Sequence, residues 1–313
     1  MKVRAYRKRV WANWQPARDY LKRAWPLYVM IIPGIIVVLL FRYYPMYGVV
    51  IAFQDFSPAK GFANSPWVGW RNFEIFFALP DFGRIFGNTL IIAIAKIVAD
   101  QIGAIILALL LNEARILLFR RTIQTLIYLP YFLSWIVLGG ILLDVLAPFG
   151  ILNQAIGNFG IDRQLFLGSN DWFRGTIITS GFWKNVGFST IVYLAALTAI
   201  NPVLHEAAAI DGAGRFRRIW HITLPGILPT IVLLAALSLG DVLEAGFEQI
   251  LTLYSPAVYR TGDIIDTYVY RIGLISAQFS LAGAVGLFKS FIGFFLIVLS
   301  YYLADRYAGY RIL

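Results

Sequence analysis

The chain has 313 residues, 59% of them apolar and 14% charged, with a mean hydropathy of +0.70 and a formal charge of +10. A soluble domain carries roughly 25% charged residues, and a chain this long has too little interior to hide the apolar surplus, so that surplus must face lipid. A water-soluble globular enzyme is excluded. So, with no cysteine present, are disulfide frameworks, thiol catalysis and Cys-ligated metal centres. Two histidines, His205 and His221, leave little for metal or general-base chemistry. Nucleic-acid binding would need the basic residues spread over one face, and here most sit in short segments beside apolar runs.

Six stretches reach the roughly 20 apolar residues that cross a hydrocarbon core. In chain order they are about Leu27–Phe41, extended by Tyr43 and Tyr44, then Asn88–Leu111, Thr122–Leu146, Arg174–Ile200, Pro225–Ala245 and Leu281–Ala304. Their continuous hydrophobicity predicts helices, because lipid-facing backbone must satisfy its hydrogen bonds within the segment. The alternation of a membrane β-barrel does not occur. With the N-terminus inside, segments 1–26, 112–121, 201–224 and 305–313 hold sixteen of the basic residues and the outer segments seven. This bias places both termini in the cytoplasm. A signal peptide is the weaker reading of the basic start, since no cleavage site follows Phe41 and five spans do. The organisation expected is a basic segment 1–26, one transmembrane domain 27–304 and a tail 305–313. Residues 43–85, rich in Pro, Gly and aromatics, read as a partly interfacial outer loop.

The inner loop 201–224 is the most specific part of the chain. Asn201-Pro202 starts a helix, Val203–Ile210 continues it and Gly212 and Gly214 break it. A second short segment then leads from Phe216 to the next span, with Arg215, Arg217 and Arg218 near the headgroups. Alanines 207, 208 and 209 keep the helix thin enough to enter a partner's groove. On composition alone this is an ordinary amphipathic inner loop.

The spacing of Glu206-Ala207-Ala208, Gly212, Ile222 and Leu224-Pro225 resembles the EAA loop of ABC importer permeases at every defined position. Gly181–Phe188 with Tyr193–Leu197 is similar to the span preceding that loop in maltose-type sugar permeases. Ser65–Phe73, Tyr128–Trp135 and Gly150–Asn153 resemble the subgroup that handles polysaccharide fragments. Roughly residues 25–304 are covered. The resemblance implies an all-α type I importer permease fold of about six spans, in which Glu206, Ala207, Ala208, Asp211, Gly212 and Arg215 form the coupling helix. It also implies a second homologous permease chain, two ATPase subunits that carry ATP and Mg, an extracytoplasmic binding protein, and location in a bacterial inner membrane.

No phosphate loop is present: the nearest candidate, Gly283–Ser290, has Phe288 where the second glycine belongs. The chain is therefore expected to bind no nucleotide, cofactor or metal. Asp241, Glu244 and Glu248 stand at helical spacing near the outer end of the fifth span, a setting that argues against glycosidase work. Ionisable groups within spans usually face a cavity or a partner. Lys96 and Asp100, four apart, are expected to neutralise each other. Lys184 and Lys289 are candidates for a central path that attracts an anionic, alginate-type cargo. Lys184 counts for less, since Trp-Lys pairs resembling Trp183-Lys184 recur in sugar permeases whatever the cargo charge, and Lys289 fits a salt bridge to a partner subunit equally well. Trp135, Trp172, Phe182, Trp183 and Phe188 offer rings for sugar faces, and Asn185, Asp241 and Glu244 offer polar contacts. A secondary transporter or channel, or a permease for a non-sugar solute, are the competing functions. A secondary transporter should show inverted repeats and broken helices.

Overall fold

A computed structural model describes residues 15–308, with side chains over 24–306. The basic segment and the tail expected at the two ends lie largely outside the described residues, which are helical with no strand among them, only an isolated bridge between Gln54 and Trp67.

Helix α1 (Gln15–Val38) continues through a π turn and a 3-10 stretch to Phe53. From Trp25 to Tyr43 its apolar side chains are exposed, as a lipid-facing segment requires. The Tyr44–Phe53 stretch packs on the last helix, where Ala52 meets Phe73 and Ala284. Helix α2 (Arg71–Ala78) lies beside it, and Asn72 ties down the preceding loop by donating to the Ala52 and Gln54 carbonyls at 2.9 and 3.0 Å.

Helix α3 (Phe82–Glu113) runs along α7 (Asn170–Thr198), and small residues at their interface (Ala93, Ala104, Ala108, Gly103) let them approach. Within α7, the Ser180 and Thr190 hydroxyls bond back to carbonyls one turn earlier at 2.6 Å, so these two carry no unmet donor into the apolar layer.

The third expected span is not one straight helix. Helix α4 (Leu117–Tyr128) and its 3-10 extension to Phe132 meet α5 (Trp135–Val145) at 104°. Pro130 lacks an N–H, Leu133 is extended, and Ser134 caps α5 by accepting from the Val137 N–H. The chain therefore turns where hydropathy alone reads straight through. Helix α6 (Ile151–Gly157) follows.

Gly187 of α7 passes so close to α4 that a Cβ there would lie 2.1 Å from the Ile127 carbonyl oxygen. Gly187→Ala should force the two helices apart and cost about 1–3 kcal/mol. A drop in the thermal unfolding midpoint in detergent measures this, and an unchanged midpoint contradicts it.

After α7 the chain bends by 69° into α8 (Pro202–Ile210). The one-turn α9 (Arg215–Arg218) leads through a π turn into α10 (Leu224–Gly240), which packs along α13 (Phe279–Ala308). The fifth span stops at Gly240 rather than at Ala245. A corner, 241–246, intervenes before α11 (Phe247–Leu253), with Gly246 at φ +95°. Asp241, Glu244 and Glu248 are therefore not on one helical face. Helix α12 (Ile265–Tyr270) precedes α13.

Four stretches, Ala24–Phe53, Phe82–Glu113, Arg215–Gly240 and Phe279–Arg306, are long and apolar enough to span a membrane, and the two bent pairs bring the number to six at most. The connecting segment 241–278 is pinned by Asp263, whose carboxylate takes both Arg271 guanidinium nitrogens at 3.0 and 2.5 Å. Burial opposes the charge on Arg271, but these hydrogen bonds and the adjacent carboxylate hold its pKa above the ordinary range.

Candidate functional site

A polar cavity of about 230 Å³ lies among α3, α5, α7 and the 241–246 corner. It brings together Trp135, Asn185, Asp241 and Glu244 of the expected path, and adds Lys96, Asp100 and Gln249. Asp241 and Glu244 reach it because α10 has already ended, so the corner presents their side chains on a turn.

The expected Lys96–Asp100 neutralisation is not formed. The Lys96 ammonium donates to the Ala245 carbonyl at 2.7 Å and to Gln249 Oε1. Asp100 accepts from Ser189 Oγ at 2.6 Å, and its other oxygen is buried with no hydrogen-bond partner. The reason is the corner: a backbone carbonyl that has left its helix within an apolar layer needs a donor, and Lys96 supplies it from across the bundle. Gln249 is fixed in turn by donating to the Ile177 carbonyl and Ser180 Oγ at 2.8 and 2.9 Å.

A larger cavity of about 700 Å³ adjoins α11, α12 and α13, and Glu244 borders both. Lys289 stands on its wall, donating to Glu244 at 3.0 Å and to Asp266 at 2.7 Å. Both of these partners belong to its own chain. Burial raises the Asp266 carboxyl above the usual carboxylate range, and the Lys289 hydrogen bond works against that rise.

The structure does not bring Lys184 to either cavity. Buried at 7% exposure, its ammonium donates to the carbonyls of Tyr131 and Leu133, both at 2.7 Å, and more weakly to Pro130. It also faces the Tyr131 and Trp135 rings, 5.3 and 5.6 Å from their centroids. It is the clamp of the α4–α5 break, and through Trp135 it touches the cavity wall only indirectly. Trp183 lies with Trp172 on a separate apolar cavity of about 390 Å³. Phe188 stacks on Tyr131 at 4.3 Å, and Phe182 packs against Gly103. None of these four rings faces the polar cavity. Asp266 and Gln249 were not foreseen: each acts on a residue more than twenty positions away, beyond the reach of any local pattern.

The second feature is the 201–218 loop. Asn201 caps α8 by accepting the Val203 N–H at 3.0 Å. The helix ends with Gly212 N–H on the Ala209 carbonyl at 3.1 Å and Ala213 N–H on the Ala208 carbonyl at 2.8 Å, a paired C-terminal cap that needs the left-handed φ of +77° found at Gly212. Glu206, Ala207, Asp211, Gly212 and Arg215 are exposed, with Ala208 half-buried. Ile210 and Phe216 stand 87% and 90% exposed. Arg215 approaches Glu113 at the end of α3 at 3.9 Å. A rigid, double-capped helix thus sits at the junction of α7 and α9 with an exposed surface that is partly apolar.

A family model described as a binding-protein-dependent transport system inner membrane component matches residues 101–309. The polygalacturonan/rhamnogalacturonan transport system permease protein YteP of Bacillus subtilis (strain 168) is 46% identical over 284 residues, covering 90% of this chain and 88% of that protein. Protein LplB of the same organism is 43% identical, with 94% and 92% covered. A chain of a solved bacterial ABC transporter involved in the import of the acidic polysaccharide alginate superposes with a TM-score of 0.86 at 38% identity, with 94% of this chain and 99% of that one covered. A second structure of the alginate transporter, in complex with an alginate pentasaccharide-bound periplasmic protein, gives a TM-score of 0.85. With the fold, the bent pairs of helices and the exposed double-capped loop all accounted for, the chain belongs to the inner membrane components of binding-protein-dependent transport systems, the permeases of ABC importers.

Proposed function

We propose that this chain is the membrane-spanning subunit of an ATP-driven importer that carries fragments of acidic polysaccharides inward. The observation that carries the reading is the exposed α8 with its two caps: a stiff element that leaves most of its surface uncovered by the described residues, able to convey a push from another subunit to the α7–α10 pair. Glu206, Ala207, Ala208, Asp211, Gly212 and Arg215 form the surface an ATPase subunit engages. The cavity holding Trp135, Asn185, Asp241 and Glu244 is this chain's share of the cargo path, completed by a second homologous permease. Lys289 borders that path as a strut for Glu244.

The chain itself performs no catalysis. ATP and Mg reside on two ATPase partners, and a binding protein delivers cargo from outside. Residues 201–224 and both termini lie on the cytoplasmic side of a bacterial inner membrane. The acidic polysaccharide class is supported by what the 46% identical permease and the alginate transporter handle.

Copurification tests the assembly. A mild detergent extract of the tagged chain should contain an ATPase and a second permease in fixed proportion, with hydrolysis stimulated by the loaded binding protein. Uptake driven by an ion gradient with no ATPase present would make the chain a secondary transporter instead.

A further inference from the structure

Among the described residues lining the 230 Å³ cavity, Lys96 is the one cation, whereas Asp100, Asp241 and Glu244 supply three carboxylates. An ammonium carries three N–H groups. The Ala245 carbonyl and Gln249 Oε1 accept two of them, and Lys96 forms no ion pair with any described residue. Its stem lies in a slot that two glycines keep open. A Cβ at Gly181 would come within 3.0 Å of Lys96 Cε, and one at Gly246 within 2.8 Å of its Nζ. The charge is therefore held by α7 and the corner at a wall that would otherwise repel anions.

We propose that Lys96 is the counter-charge of this chain for a carboxylate on the passing cargo, offering its third N–H to the cavity. The proposal rests on the transport function above and deepens it: the site takes the carboxylate of a uronate-type unit. A neutral glycosyl unit has other means of passage, because Asp241, Glu244 and Asn185 can all accept hydrogen bonds from its hydroxyls. An anionic unit meets the carboxylates of Asp100, Asp241 and Glu244, of which Glu244 alone is paired, with Lys289 behind it, and Lys96 is the cation on the cavity wall itself, so the lysine sets selectivity between the two.

The test uses the complete importer, this chain with its second permease, ATPases and binding protein, in proteoliposomes. Uptake is measured at saturating binding protein for an oligogalacturonide and for its methyl ester. Lys96→Gln keeps hydrogen-bonding capacity but removes the charge, and should lower uptake of the acid about tenfold, the value of one charge-assisted hydrogen bond, with a much smaller effect on the ester. Lys96→Arg should recover most of the acid uptake. Equal loss for both cargoes would make Lys96 only a strut for the corner and overturn the proposal, as would no loss at all.

Asp241→Asn supplies a second reading, on the acid alone, that leaves Lys96 in place. Removing a competing carboxylate should raise acid uptake about threefold, and a fall would overturn the proposal. Failure of the wild-type importer to carry the acid would instead defeat the transport reading on which the proposal rests.

Discussion

Lys184→Met is expected to cost about 3–5 kcal/mol, a large part of the roughly 5–15 kcal/mol that holds a typical domain folded, because it removes three hydrogen bonds at the α4–α5 break and leaves the Tyr131 and Leu133 carbonyls without a donor. Two of those bonds are 2.7 Å long and made by a side chain only 7% exposed, so water is not at hand to replace the lysine. The variant should give a low yield of monodisperse protein and a sharply lowered unfolding midpoint in detergent. Lys184→Arg, which keeps the charge and several donors, should recover part of both. If Lys184 bound cargo, the surviving Arg variant would show altered preference between anionic and neutral cargo; as a clamp, it should show none. A Met variant with wild-type yield and midpoint would refute the clamp.

The contrast between Lys184 and Lys96 shows where the sequence was legible. The spans could be read because a run of about 20 apolar residues has few other uses, and the loop could be read because Asn201, Glu206-Ala207-Ala208 and Gly212 are local signals at fixed spacing. The apparent third span failed at Leu133-Ser134, since a proline three residues earlier and an N-capping serine barely alter hydropathy while together they turn the chain by 104°. The buried charges failed for another reason. Their partners are set by breaks elsewhere in the fold: Ala245 lies 149 positions from Lys96, and Tyr131 lies 53 from Lys184. An i,i+4 spacing favours a Lys96–Asp100 pair by only a few tenths of a kcal/mol, less than an unmet carbonyl in an apolar layer costs. Each broken segment took a lysine from its neighbour. Of the path residues, Trp135, Asn185, Asp241 and Glu244 did converge, two of them because α10 ends five residues earlier than its apolar run implies.

The largest effect on transport is expected in the α8 loop, where stability should hardly change. Glu206→Lys reverses an exposed charge that pairs with no described residue, so nothing in the described fold opposes it. Gly212→Val acts differently: no atom lies within 4 Å of the added Cβ, but φ of +77° strains a β-branched residue by about 1–3 kcal/mol. The strain is relieved only by giving up the bonds to the Ala208 and Ala209 carbonyls, which frays α8 at the end nearest Ile210 and Arg215. If α8 conveys the ATPase stroke, both variants should reduce uptake in proteoliposomes at least about tenfold, since losing 1.4 kcal/mol of a docking interface already weakens it by that factor. The binding protein's affinity for cargo, a property of another polypeptide, should stay as it is, and the unfolding midpoint of the permease should move by only a few degrees. A double-capped helix that merely closed a loop would tolerate both changes, so normal uptake in either variant would remove α8 from the coupling route.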